Sequence, residues 1–384
     1  MKTVSKIITV LILSLYTTYC WSQKPEPVYS IIRQIHDFGW YEQQAKAWKH
    51  EIDRGTKDKM AWVYWFQANR MAEIFCDQKE WESKKGSFFL DQSDIIKLAE
   101  KTIPNSFEFY FLKMHDDKGG AAEGDGYITK AQTLRPYDNL LLPWLVNRDI
   151  FKNDKVDLEL TCQKWFDSNE MPQGLLITAY NNLISLEPNA ILLVNGDNDT
   201  YPYWVLQNAK KIRPDVLVLN VSLSINDSYR EWVFKENGIP PLSFKNGSER
   251  RSENIVKHLI ENVHNKPIYI SSFAPSDIYK AYTDKFYLIG LSYKYSEKSF
   301  DNLAVLRNNV ENKYLLDFIK QNFCNHYAQS AVDQMNIGYL PIFLKLYEHY
   351  LQSGELQKAE KLKALAETVA KRGGITDLMK YFEK

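Results

Sequence analysis

Hydrophobic and polar positions follow three different regimes along this chain. From residue 28 to 185, apolar and aromatic side chains recur every three or four positions. WYEQQAKAWKHEI (40–52) and MAWVYWFQANRMAEIF (60–75) are examples, and this spacing predicts helices. YITKAQTLRP (127–136) and LLITAYNNLISLEP (175–188) read as helices closed by a proline, and their recurrence predicts stacked helical hairpins. Between about 188 and 298 the pattern changes. ILLVN (191–195) is a continuous aliphatic run, the mark of a strand buried on both faces. YPYWVLQNAKKI reads as a helix, Arg213-Pro214-Asp215 as a turn, and VLVLNVSL as a second buried strand. SENIVKHLIENV then reads as a helix, KPIYISS as a third strand and KFYLIGLSYKY as a fourth. Strand alternating with helix predicts a parallel sheet covered by helices, a three-layer α/β domain.

From 302 to 384 the helical period returns. FLKLYEHYLQSGELQKAEKLKALAE places Phe343, Leu346, Tyr350, Gly354, Ala359 and Ala366 at the tetratricopeptide spacing. The small residues let two helices approach, while the large ones fill the groove between them. Lys363 stands where an aromatic is usual, and no proline closes the repeat. The expected architecture is therefore α/β plus all-α: helical hairpins over 28–185 and 302–384 flank an α/β domain over 188–298. EGDGYITKAQ (123–132) echoes a calcium-binding loop, but Ala121 and Gln132 stand where its ligands belong. It is expected to be a glycine-rich insertion between helices.

The candidate chemistry lies where the predicted strands end. In parallel sheets ligands collect at the carboxyl ends of strands, beside helix N-termini. Asn195, Gly196, Asp197, Asn198, Asp199 and Thr200 leave the first strand there, Asn220 and Ser222 leave the second, and Ser271 leaves the third. Gly196 permits a tight turn, Asp199 or Thr200 is expected to cap the next helix, and Pro202 suits its first turn. Asp197, set earlier beside Gly196, is expected to face the crevice. Turn formation and capping alone would account for such a segment. A bound cation or polyol would account for it too, as would acid–base use of Asp197 and Asp199. Asp197-Asn198-Asp199 also spells the DxD of metal-dependent sugar transferases. No motif names a cofactor, and the identity of any metal is left open.

Composition narrows the function classes. Lys plus Arg and Asp plus Glu both number 48, which gives no electrostatic case for nucleic acid. The 24 Tyr and 10 Trp are read first as helix-packing residues and second as stacking surfaces for sugars. Lys2, Lys6 and the apolar run Ile7–Tyr16 look like an export signal. Cys20 and Ser22 then place cleavage before Gln23. A lipidated Cys20 is the lesser reading, because Tyr19 is bulky where that site wants a small residue. Residues 1–22 are thus the expected signal peptide, and the mature chain, with no membrane span, is expected in the periplasm. Cys76, Cys162 and Cys324 would then remain, too few and too scattered for a disulfide framework.

NGDNDTYPYWVLQNAKKIRPDVLVLNVSL (195–223) resembles the soluble C-terminal part of a bacterial membrane-protein family. These are the multi-pass proteins of protein-O-mannosyltransferase type found in Bacteroidota. The resemblance rests on the GDND core, the aromatic-Pro helix, the RPDV turn, the N-x-S strand, and the later KPIYIS and FYLIGLSYKY. It spans about 188–370. Because this chain lacks that family's membrane helices, the resemblance implies an exported accessory domain rather than sugar transfer. The expected function is non-catalytic binding or scaffolding linked to envelope glycosylation. Helical repeats would hold a protein partner, and the α/β crevice a small polar ligand or glycan. The competing expectation is a soluble carbohydrate-active or metal-dependent transferase-like enzyme using Asp197 and Asp199.

Overall fold

The computed structural model describes residues 25–86, 88–116, 120–244, 251–321 and 326–381. The expected signal segment with Cys20 and Gln23, and Cys324, lie outside the described residues. The chain divides into two compact units: residues 36–124 with the chain up to 30, and residues 125–384 with the short segment 31–35. The helical stretch 28–185 is thus shared between them.

The first unit contains α1 (Phe38–Asp53), α2 (Met60–Ile74), α3 (Gln78–Lys84), α4 (Gln92–Thr102) and α5 (Phe107–Lys113). Side-chain caps at Asp37, Asp77 and Ser106 start α1, α3 and α5 by accepting backbone N–H groups. Its aromatics are packing residues: Tyr41, Trp65, Phe66 and Trp81 are fully buried. The indole of Trp65 donates to the Phe88 carbonyl at 2.8 Å. Buried Asn69 joins the Trp65 carbonyl to the Leu90 amide. Next, α6 (Gly120–Leu134) leads into the second unit. This corrects the reading of 123–132 as a glycine-rich insertion. Buried Ile128 and Ala131 anchor the helix, and the Thr129 and Thr133 hydroxyls donate to carbonyls four residues back.

The second unit continues with α7 (Leu142–Phe151), α8 (Lys155–Asp167) and α9 (Gln173–Ser185). Its sheet and covering helices follow as β1 (Ile191–Val194), α10 (Tyr201–Lys210), β2 (Leu217–Asn220), α11 (Asp227–Glu236), α12 (Arg251–Asn262), β3 (Ile268–Ser271), β4 (Phe286–Leu288) and β5 (Ser292–Tyr295). The sheet order is β2-β1-β3-β5-β4. β1 pairs parallel with β2 and with β3, with Val194 opposite Asn220 and Leu193 opposite Ile270. All four β1 side chains are buried, as the aliphatic run predicts. The sheet is mixed rather than wholly parallel. The expected fourth strand splits into β4 and β5, an antiparallel hairpin joined to β3 through Ser271–Ser292. The chain reverses at Gly290, where a Cβ would stand 2.0 Å from the Tyr314 hydroxyl. That hydroxyl accepts the Leu291 amide at 3.0 Å, which holds the reversal in place. Edge strand β2 is blunted by α10: Trp204 donates to the Val218 carbonyl and Gln207 to that of Val216.

The C-terminal helices are α13 (Asn302–Asn312), α14 (Asp317–Lys320), α15 (Gln329–Asn336), α16 (Leu340–Ser353) and α17 (Leu356–Arg372). α16 and α17 form a hairpin around Gly354, whose φ of +76° suits glycine. Phe343, Leu346, Tyr350, Ala359 and Ala366 are all buried in one apolar cluster with Leu291, Leu306 and Tyr339. Ala359 has no exposed surface. Ala359→Phe is therefore expected to cost about 1–3 kcal/mol by overpacking, checked by thermal melting. A wild-type melting curve would show that this position has room to spare.

Candidate functional site

The exits of the three parallel strands meet at the carboxyl edge of the sheet, and their polar side chains are mostly joined to one another. Asp199 is the centre. Its Oδ2 accepts the Asn195 amide at 3.0 Å, and its Oδ1 accepts the Ser271 hydroxyl at 2.7 Å. The β1 exit is thereby tied to the end of β3. The Tyr203 hydroxyl, one turn along on α10, also favours the ionised carboxylate. That hydroxyl in turn accepts Asn182 Nδ2 at 2.8 Å, and Asn182 Oδ1 accepts the Ser292 hydroxyl. One polar chain thus runs through α9, the β1 loop, α10, β3 and β5.

Asp199 is only 2% exposed and has no cationic partner among its contacts. Burial pushes its pKa from the ordinary carboxylate range to about 8, with the Ser271, Asn195 and Tyr203 hydrogen bonds pulling the other way. This placement corrects the expectation that Asp199 or Thr200 caps α10. Thr200 occupies the cap position, but neither side chain accepts a first-turn amide. Pro202 has no amide to cap. The Tyr201 amide goes to the Asp197 carbonyl, and those of Tyr203 and Trp204 go to the Thr200 carbonyl. The Thr200 hydroxyl instead donates to the Gly196 carbonyl at 2.7 Å and accepts Asn220 Nδ2 at 2.8 Å.

Asn220 Oδ1 accepts the Leu223 amide, and its carbonyl accepts the Ser224 hydroxyl, which winds the β2 exit into a tight turn. Ser222 Oγ donates to Asn195 Oδ1 at 2.5 Å on the exposed rim. Asn198 Nδ2 donates to the Ile31 carbonyl at 3.3 Å, and its Oδ1 is buried without a partner. Of the nine residues singled out, Asp199, Thr200, Asn220 and Ser271 are buried, Asn195 and Asn198 are half-buried, and Gly196, Asp197 and Ser222 are exposed. Asp197 and Asp199 thus differ sharply in exposure. Among the described residues no group of three or more His, Cys, Asp or Glu could hold a metal ion. None of the nine lines either of two cavities of this unit, about 410 Å³ beside β2 and about 480 Å³ beside α12.

Two arginines shape this region: Arg230, which sequence reasoning passed over, and Arg213, which it read only as part of a turn. Arg230, 2% exposed, donates to the carbonyls of Ser224, Ile225 and Leu242, pairs with Asp227, and lies 4.4 Å from the Phe244 ring. At the opposite end of the strands, Arg213 donates to the carbonyls of Leu183, Leu186 and Glu187 and pairs with Asp215. The RPD turn is thus a clamp on the C-terminus of α9. Asn182 and Tyr203 carried a weak signal: a polar residue inside an apolar helix, and a hydroxyl four positions after Asp199.

Residues 177–341, which hold all five strands and every loop of this edge, match the family model of TMEM260-associated domain 2. That family is linked to TMEM260, a membrane protein. No curated protein and no solved structure matches the chain. Among the described residues, no helix is long and apolar enough to cross a membrane.

Proposed function

We propose that this chain is an exported, periplasmic, non-catalytic binding or scaffold protein linked to envelope glycosylation. In this reading the export signal ends before Gln23. The α/β unit is an accessory domain of the kind carried by the Bacteroidota protein-O-mannosyltransferase-type membrane proteins. Tetratricopeptide-like hairpins hold a protein partner, since stacked hairpins form extended concave surfaces. The exposed rim of the carboxyl edge, Asn195, Gly196, Asp197 and Ser222, takes a small polar ligand or glycan.

The division of labour within the GDND loop supports this reading. Both oxygens of Asp199 accept donors from the chain itself, which stiffens the loop, while Gly196 and Asp197 lie at the surface. An enzyme using Asp197 and Asp199 together would need the buried carboxylate to give up those donors. Asp197→Ala is expected to leave the melting temperature nearly unchanged while weakening the stabilisation given by calcium, magnesium, glycerol or neutral hexoses. Thermal melting of both proteins with each additive checks this. If wild type shows no additive-dependent shift, or Asp197→Ala unfolds the unit, the rim is not a ligand site.

A further inference from the structure

Residues 31–35, Ile-Ile-Arg-Gln-Ile, pack with the second unit although the chain on either side belongs to the first. Three side chains in a row are buried there: Ile32, Arg33 and Gln34. Ile32 joins the apolar cluster that contains Leu142, Val146 and Trp165. The Arg33 guanidinium pairs with Glu170 at 3.2 Å and donates to the Asn139 carbonyl at 3.3 Å. Glu170 is held ready for it, accepting Asn139 Nδ2 and the Tyr327 hydroxyl, each at 3.1 Å. The main chain of the segment is gripped at both ends. The Ile35 amide donates to Ser330 Oγ on α15 at 2.9 Å, and the Ile31 carbonyl accepts Asn198 Nδ2.

An apolar socket, an oriented carboxylate and one backbone clasp at each end are the parts of a peptide-recognition groove. We propose that the bed formed by Asn139, Glu170, Asn198 and Ser330 is such a groove, occupied in cis by residues 31–35. The partner it fits is a peptide that presents a branched aliphatic residue followed by arginine in a turn, the conformation of residues 31–33. The fit of the internal segment is incomplete. Asn198 Oδ1 stays buried without a hydrogen bond beside it. A partner peptide with a donor that reaches Asn198 Oδ1 would satisfy the groove better than the internal segment does. Tethering keeps the internal segment at a high effective concentration, so the groove admits only a partner strong enough to displace it. This inference rests on the proposed function only in taking the occupant to be a protein. Its failure would leave ligand binding at the Asp197 rim untouched.

The test uses the full chain carrying Ile32→Asp and Arg33→Glu, which empties the groove, and a fluorescent peptide of sequence SIIRQIHD. The peptide should bind this variant saturably, and roughly tenfold or more tighter than it binds wild type, where the tethered segment competes. Adding Glu170→Ala to the variant should abolish binding, as should glutamate in place of the peptide's arginine. A folded variant that fails to bind, or binding indifferent to Glu170 or equal in wild type, would overturn the proposal. Hydrogen exchange on wild type gives a second readout that needs no variant. The Ile35 amide should exchange orders of magnitude faster than the amides of β1. Protection equal to that of β1 would make residues 31–35 a permanent part of the core and end the proposal.

Discussion

Asp199→Ala will lower the stability of the second unit by about 2–6 kcal/mol at pH 5, and Asp199→Asn will remove a pH dependence that wild type carries. The first figure follows from what alanine leaves behind. Ser271 Oγ and the Asn195 amide lose their acceptor, and each unpaired buried donor costs about 1–3 kcal/mol. The second follows from linkage. The folded protein holds the Asp199 proton up to about pH 8, whereas the unfolded chain releases it near the usual carboxylate pKa of about 4. Between those values the folded state binds more protons, so stability must fall as pH rises. The contribution is complete below about pH 4 and gone above about pH 8. Its slope is up to about 1.4 kcal/mol per pH unit, on the order of 3 kcal/mol between pH 5 and 8. His115 works in the opposite direction. Burial lowers its pKa to about 3, so it adds stability as pH rises toward 6.5. His115 lies in the first unit, so the difference between wild type and Asp199→Asn cancels it. Melting both proteins from pH 5 to 8 should show the gap narrowing, or reversing in favour of asparagine, toward pH 8. A gap independent of pH would mean that Asp199 is ionised throughout.

How much of this was legible beforehand depends on whether the deciding interaction is local. The ILLV and VLVLN strands announced themselves, because burial on both faces leaves an uninterrupted aliphatic run. The α16–α17 hairpin did so through side-chain size at fixed spacing. The β4–β5 reversal did not, because KFYLIGLSYKY looks like one apolar strand. What turns it is the approach of Gly290 to Tyr314, 24 residues further on. The glycines at 124 and 126 read as a loop, yet tertiary burial of Ile128 and Ala131 keeps them helical. At the strand ends, the convergence of Asn195, Asp199, Asn220 and Ser271 followed from topology alone. The role of Asp199 did not, because local capping rules could not know that backbone carbonyls and Pro202 would already serve the first turn of α10. Residues 31–35 carried no periodicity at all; their placement depends on Glu170 and Ser330, far along the chain.

Charged residues are usually solvated, yet the structure puts Arg230 inside. Arg230→Ala is expected to destabilise the second unit by about 2–4 kcal/mol, combining a cavity with unserved buried carbonyls. The loss should not come from the ion pair. Asp227 is largely exposed and returns to water without penalty, so Asp227→Ala should cost no more than about 1 kcal/mol. The guanidinium matters as a planar fork: Nε serves Leu242, while Nη1 serves Ser224 and Ile225. Lysine keeps the charge but cannot reach both sides, and it loses the flat contact with Phe244. Arg230→Lys should therefore recover less than half of the loss. Because Ser224 and Ile225 form the turn just after Ser222, loosening it should also disturb Ser222 and Asn195 on the rim. Chemical denaturation of the three variants, with amide exchange over 220–226, tests the assignment. If Asp227→Ala and Arg230→Ala cost the same, the ion pair rather than the fork holds this turn.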